Sequence, residues 1–261
     1  MRRGSADPAT DTPALTVLGA MVQQLGVALT HQPIAAGTHE TATLPSVLEQ
    51  RLLAGRVVTL DAAHTSPRTA EAIVKKGRSI LRVKANQPQV LEALRLWLDQ
   101  PVRPETVRWR TEAKGHGRVV QDQVRATTAL NAYLQAFGWP KVGQCLCIQR
   151  RSLRTASGVE TGHTHCAITD LTPQAALARR VFEWWRGYWQ IENCGHWVRD
   201  VEFGEDRCSA RCRQAARAWV ALRDIVIGLL RFCGARSIAQ ARAALAFSPE
   251  RAASIIGIPL D

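Results

Sequence analysis

The chain has 261 residues and a formal charge of +12, from 34 Lys and Arg against 22 Asp and Glu, with a sequence pI near 10.1. Length and a hydrophobic content of 46% suit one large globular domain or two small ones, and the charge excess points to a polyanionic partner, most simply nucleic acid. The absence of an apolar run of about 18 residues argues against a membrane span, the polar Gly4, Ser5, Asp7 and Pro8 after Met1-Arg2-Arg3 argue against a secretory leader, and seven scattered cysteines suit reduced thiols in a cytoplasmic protein.

Residues 1–13 (MRRGSADPATDTP) are polar and punctuated by proline, so a disordered segment is expected over 1–14. Leu15–Val22 and Val27–Thr30 read as two short strands around a turn at Gln24-Leu25-Gly26. A loop follows from Gln32 to Thr43, then a short helix over Leu44–Ala54, opened by Pro45 and closed by Gly55. Arg56–Asp61 (RVVTLD) is an apolar strand ending in an acid. Pro67–Lys76 is a helix with Ser66 as its N-cap and Gly77 beyond it, and Ser79–Lys84 is the next strand. This strand–helix–strand unit implies parallel pairing. It places Asp61 at the C-terminal end of a parallel strand, where α/β sheets bind their ligands, although an Asp in that position is as often a plain turn former.

Gln89–Leu98 reads as a helix after Lys84-Ala85-Asn86-Gln87-Pro88. From Trp109 to Thr169 apolar and polar residues alternate, which suits β structure, with a hairpin turn and exposed basic tips at Gly115-His116-Gly117-Arg118. Cys145-x-Cys147 and His163-x-His165-Cys166 fit no familiar zinc spacing. Thr172 and Pro173 favour a helix start, and one helix is expected from Gln174 to about Val201. At 3.6 residues per turn Trp185, Tyr188, Glu192, His196 and Arg199 share a face, and Val181, Trp184, Ile191, Cys194 and Val198 form the core face. A Glu on an amphipathic helix is ordinarily just solvated. Here four of the eight tryptophans surround it, and Asp200, Glu202, Glu205 and Asp206 follow at once. Beyond them lie Arg207, Arg211, Arg213, Arg217, Arg223 and Arg231, opposed only by Asp224, which beside a carboxylate site would make a phosphate-tracking surface. Ala218–Phe232 is an apolar-rich helix, and Ser237 to Asp261 a short helix and tail.

The run Tyr188-Trp189-Gln190-Ile191-Glu192-Asn193, then His196-Trp197, Asp200-Val201, Phe203 and Glu205-Asp206, closely resembles the C-terminal signature of DDE insertion-sequence transposases of the H-repeat-associated type. Asp61-Ala62-Ala63-His64-Thr65, Lys84 to Pro88 and Gly115 to Arg118 match further motifs of that family in the same order. The resemblance implies an α/β fold, an RNase H-like mixed sheet flanked by helices over 15–236. It implies a β-rich insertion at about 105–170 before the last catalytic helix, and a C-terminal helix and tail over 237–261. It also implies that Asp61 and Glu192 are the second and third acids of the catalytic triad and ligate Mg²⁺ or Mn²⁺ in a two-ion site. Lys84, His116, Arg118, Tyr188, His196, Arg199, Arg207 and Arg211 become DNA-contacting candidates. Tyr188 departs from the family pattern, which has a basic or imidazole side chain there.

The family's first acid lies on the first strand, in an Asp-Gly-Lys run just before an Arg-Gly-Ser; this chain resumes the match at Arg3-Gly4-Ser5. The expectation is therefore an N-terminally truncated transposase that lacks the first strand and first Asp and has little or no transposition activity. Its partners would be DNA, both element ends and target, with homo-oligomers assembling on it and no membrane. The alternative is a non-catalytic DNA-binding remnant or regulator of an intact transposase, with an RNase H-like nuclease on other substrates ranked below both.

Overall fold

The structure, a computed structural model, describes residues 15–49, 53–104, 106–208, 210 and 213–258. The expected N-terminal segment 1–14 lies outside the described residues. The chain divides into two compact units, one of Leu48–Tyr188 and one of Met1–Val47 with Trp189–Asp261.

The described chain opens with strands β1 (Val17–Val22) and β2 (Val27–Pro33), which pair antiparallel as a two-stranded sheet. Gly26 closes the turn at φ 64°, a left-handed conformation that glycine adopts without steric cost, and its N–H donates to the Val22 carbonyl at 2.8 Å. Helix α1 spans Glu40–Glu49 and contains Pro45. The sequence places Pro45 at the helix start, but the acidic Glu40 begins the helix one turn earlier, where a carboxylate favours the N-terminal dipole.

Strand β3 (Val57–Leu60), helix α2 (Pro67–Val74) and strand β4 (Arg78–Val83) form the expected parallel unit. Ser66 caps α2, its side chain accepting from the Thr69 N–H at 3.2 Å. Helix α3 (Pro88–Asp99) follows, then strands β5 (Val107–Gly115) and β6 (Arg118–Thr127), the short helix α4 (Asn131–Ala136), strands β7 (Gln144–Arg154) and β8 (Glu160–Thr169), and helix α5 (Ala178–Gly187). The β-rich stretch is continuous with the main sheet. Its four strands are antiparallel to one another, and β8 also pairs antiparallel with β4, giving one six-stranded mixed sheet of order β3-β4-β8-β7-β6-β5. This is the expected α/β class, a mixed sheet flanked by helices.

Alternation along the strands sorts the two faces. Ile80, Val124, Ala126, Leu146, Ile148 and Ala167 bury against Val181, Phe182 and Trp185 of α5, with the Trp109 ring 5.1 Å from that of Phe182. On the opposite face α3 lies over the sheet. Arg125 donates there to the carbonyls of Leu98 and Gln100, and the Cys147 thiol sits 3.7 Å from the Leu94 carbonyl. The β4–β8 seam is closed by polar groups. Thr169 Oγ1 donates to the Ser79 carbonyl at 2.6 Å, while Asp170 Oδ1 accepts from the Ser79 N–H and hydroxyl at 2.5 and 2.9 Å.

The single helix expected from Gln174 to Val201 is a correction. Thr172 does accept from Ala175 and Ala176, but these bonds close an isolated turn. Leu177 is extended, and α5 begins only at Ala178. After Gly187 the chain continues as two π-helical stretches, Ile191–His196 and Val198–Glu202, stopped by Gly204 at φ 57°. A π turn advances the side chains by a different angle from an α turn, so a face drawn at 3.6 residues per turn cannot be extended from Trp185 to Arg199. Helices α6 (Arg213–Phe232), α7 (Ile238–Ala246) and α8 (Pro249–Ile255) complete the chain. In their unit Val198 packs with Ile227, Leu230 and Ile238.

Phe182 is 1% exposed at the centre of the α5 face. Phe182→Ala is expected to lower unfolding stability by about 3–5 kcal/mol, from lost burial and the cavity left behind; urea denaturation of the two proteins measures this.

Candidate functional site

Each of the two expected acids has its own surroundings. Asp61 follows β3, and its carbonyl accepts from the His64 N–H at 3.0 Å, which starts the single turn Ala62–His64. The side chain is one-third exposed, at 35%, and its Oδ1 lies 3.6 Å from Lys84 Nζ. That oxygen is buried and accepts no hydrogen bond. A hard anionic oxygen in this state is the donor type that Mg²⁺ and Mn²⁺ take.

The loop behind Asp61 is held by the neighbouring Lys84–Pro88 motif. Asn86 Nδ2 donates to the carbonyls of Ala62 and Thr65, and Gln87 Nε2 donates to the Thr65 carbonyl at 2.9 Å. The second motif therefore acts as a clamp on the first. Its lysine faces the carboxylate, and its two amides bond carbonyls at the two ends of the turn that follows Asp61, those of Ala62 and Thr65.

Glu192 lies in the first π-helical stretch with its side chain exposed. Two arginines fix that stretch. Arg231 Nη2 donates to the Cys194 carbonyl at 2.6 Å. Arg199, expected as an exposed DNA contact, is only 2% exposed. Its Nε lies 3.1 Å from Glu205 and its Nη1 3.3 Å from Asp224 and 2.6 Å from His31 Nε2, while His31 Nδ1 is 2.8 Å from Asp224. His196, another expected contact, is half-buried with Nδ1 3.4 Å from Arg199 Nη2. This placement corrects the reading of Arg199. A guanidinium surrounded by two carboxylates and two imidazoles is a structural cation, and nothing in the spacing of the sequence separates it from a surface arginine. Arg223 and Arg231, read as part of a phosphate-tracking face, are likewise turned inward. Arg223 lies 3.9 Å from Glu205, and burial holds Arg231 below its ordinary pKa.

The other candidates divide cleanly. Lys84, His116, Arg118 and Arg207 are exposed. His116 and Gly117 form the tip of the β5–β6 hairpin, both at positive φ (50° and 69°). Tyr188, one residue beyond α5, is half-buried with its ring 5.6 Å from the Arg82 guanidinium. Arg211 lies outside the described residues. Among the described residues no group of three or more His, Cys, Asp or Glu side chains is placed to hold a metal ion, and no helix is long and apolar enough to cross a membrane.

Asp61 thus closes a parallel β-strand with the amide clamp behind it, and Glu192 stands exposed in a π-helical stretch. Residues 17–229 match the family model described as the Transposase DDE domain. The chain belongs to the DDE transposase family of insertion-sequence proteins. It is 27% identical over 204 residues to YbfL of Escherichia coli K12, and 26% identical over 204 residues to the H repeat-associated transposase homologue YhhI of the same organism. Each match covers 74% of this chain and 52% of the relative, so the chain spans about half the length of the curated relatives it matches. Members of this family generally work with divalent metal ions.

Arg199→Ala takes the shared guanidinium from the buried Glu205 and the half-buried Asp224 and is expected to cost about 3–5 kcal/mol of stability in chemical denaturation. Arg199→Lys should recover only part of it, because a point charge replaces the planar fork. Asn86→Ala should cost roughly 1–2 kcal/mol and speed amide exchange at His64 and Thr65; unchanged exchange there would show that the clamp is not needed to order the loop.

Proposed function

We propose that the protein acts on DNA by metal-dependent phosphoryl transfer, the strand cleavage and joining of insertion-sequence transposition, with Asp61 and Glu192 as two of its metal-ligating carboxylates. The observation that carries this reading is the Asp61 Oδ1 atom, a buried carboxylate oxygen at the C-terminal end of a parallel strand that accepts no hydrogen bond and lies 3.6 Å from Lys84 Nζ. Bound as a pair, Mg²⁺ or Mn²⁺ ions supply activation of the attacking oxygen and stabilisation of the leaving one. The chain's own residues do the rest. Asn86 and Gln87 hold the loop behind Asp61, Arg199 and Arg231 hold the stretch bearing Glu192, and the exposed Lys84, His116, Arg118 and Arg207 offer cations to DNA phosphates. Tyr188 and His196, both half-buried, are weaker candidates for the same role.

A second reading, a non-catalytic DNA-binding regulator of an intact transposase, draws on the +12 charge and on basic side chains that stand exposed independently of either acid. Divalent-ion dependence separates the two. For an enzyme, Mn²⁺-dependent nicking of supercoiled DNA disappears in both Asp61→Asn and Glu192→Gln, while DNA retention in gel shifts is unchanged or stronger. For a regulator, retention occurs without nicking and is indifferent to both substitutions and to Mn²⁺. Under either reading retention weakens steeply with salt, and each of Lys84→Ala and Arg118→Ala should flatten the log–log salt slope by about one.

A further inference from the structure

Strand register sets a row of polar side chains beside Asp61 that the motifs did not single out. Leu60 pairs with Leu81 across the parallel β3–β4 ladder, so Asp61 and Arg82, each next along its strand, stand level and on one face. Arg82 pairs with Ala167 of β8. His165, two residues before Ala167, is on that face too, opposite Ile148, and His163 is opposite Arg150. This is the α5 face. The Trp185 ring lies 5.4 Å from the His165 ring and 5.1 Å from the Arg82 guanidinium, and the two imidazoles are 6.3 Å apart. Arg82 is 4% exposed, His165 half-buried and His163 exposed, so the row runs from the interior out to solvent.

Lys84, Arg82 and Arg150 gather positive charge along the row, and Asp61 lies 3.6 Å from Lys84. Asp122 is engaged by Arg150 through two hydrogen bonds of 2.7 and 2.9 Å. Burial, then Arg82, Arg150 and His163, push His165 down to about 4 against the pull of Asp122. The ring is therefore neutral near pH 7 but keeps one N–H to donate. A phosphate seated against these cations would favour the protonated form of His165.

We propose that His163 and His165, backed by the Arg82 guanidinium, form an anion subsite that takes one phosphate of a bound nucleic-acid strand beside Asp61. That the anion belongs to DNA rests on the function proposed above; the subsite itself does not. His163 and His165 offer the accessible donors, and Arg82, held over Trp185 and Tyr188, supplies charge from behind.

The test follows the His165 imidazole by NMR through pH titrations of the full chain at low salt, its signal assigned with His165→Asn. Three samples are compared: protein alone, with inorganic phosphate, and with a short single-stranded DNA. The expected result is a His165 midpoint raised about tenfold in proton affinity or more by DNA. The rise should be reduced by Arg82→Gln and by His163→Gln and retained in Asp61→Asn. The exposed position of His163 makes that variant informative even where Arg82→Gln unfolds. No rise with either anion overturns the proposal, as does a rise with DNA that ignores both substitutions. A rise with phosphate but not DNA reduces the site to a small-anion site and overturns the nucleic-acid assignment. Loss of Mn²⁺-dependent nicking alongside an intact rise would sink the catalytic reading and leave the subsite standing; nicking without the rise would do the reverse.

Discussion

The sheet unit depends on β8 being shared. This strand pairs with β4 on one side and β7 on the other, so it alone joins the parallel β3–β4 pair to the antiparallel strands β5 to β7. The seam is sealed by Asp170 and Thr169, which satisfy the N–H, hydroxyl and carbonyl of Ser79, all buried. Charge-assisted hydrogen bonds to backbone are the stronger kind, and an unpaired buried group at this point would cost free energy on both halves. Arg82 keeps its level with Ala167, and so its place beside His165, because β4 does not slip against β8. A slip of one residue would turn every side chain of β4 to the other face.

Arginine serves two opposite purposes in this protein. Arg118 and Arg207 keep their guanidiniums in water, where charge costs little and can be offered to a polyanion. Arg82, Arg125 and Arg199 are buried. Each has been taken from water and given aromatic faces, backbone carbonyls or carboxylates in return, which is the arrangement a desolvated cation requires. The planar guanidinium suits this second use because it can stack and donate at once. Arg82 does so over Trp185, Arg125 over Trp97, and Arg199 within its cluster of acids and imidazoles. A net charge of +12 therefore overstates the surface available to nucleic acid, since several of its cations are structural.

The same economy holds around the acids. Neither carboxylate is held by direct hydrogen bonds of its own; the backbone beneath each is. Asn86 and Gln87 brace the turn after Asp61, and Arg231 braces the π-helical stretch of Glu192 through the Cys194 carbonyl. Rigidity supplied from the backbone side leaves the lone pairs of both carboxylates open.

The parallel β3–α2–β4 unit, its Ser66 cap, the β5–β6 hairpin with its basic tip, and the family were all legible in the linear sequence, because each rests on signals a few residues apart: alternation, a cap three residues before its partner, a glycine at a turn. The acids were legible as candidates for the same reason, through short motifs around Asp61 and Glu192. What tertiary structure decided was everything carried by distant partners. The burial of Arg199 depends on His31, Glu205 and Asp224, which no local pattern links to it. The end of α5 at Gly187 and the π-helical stretches after it leave no mark in the apolar spacing, so a periodicity fitted within α5 failed beyond it. The row from Asp61 through Arg82 to His165 exists only in the register of three strands separated by up to about a hundred residues. Local chemistry chooses the elements, and long-range pairing, which a linear pattern does not encode, chooses which side chains meet.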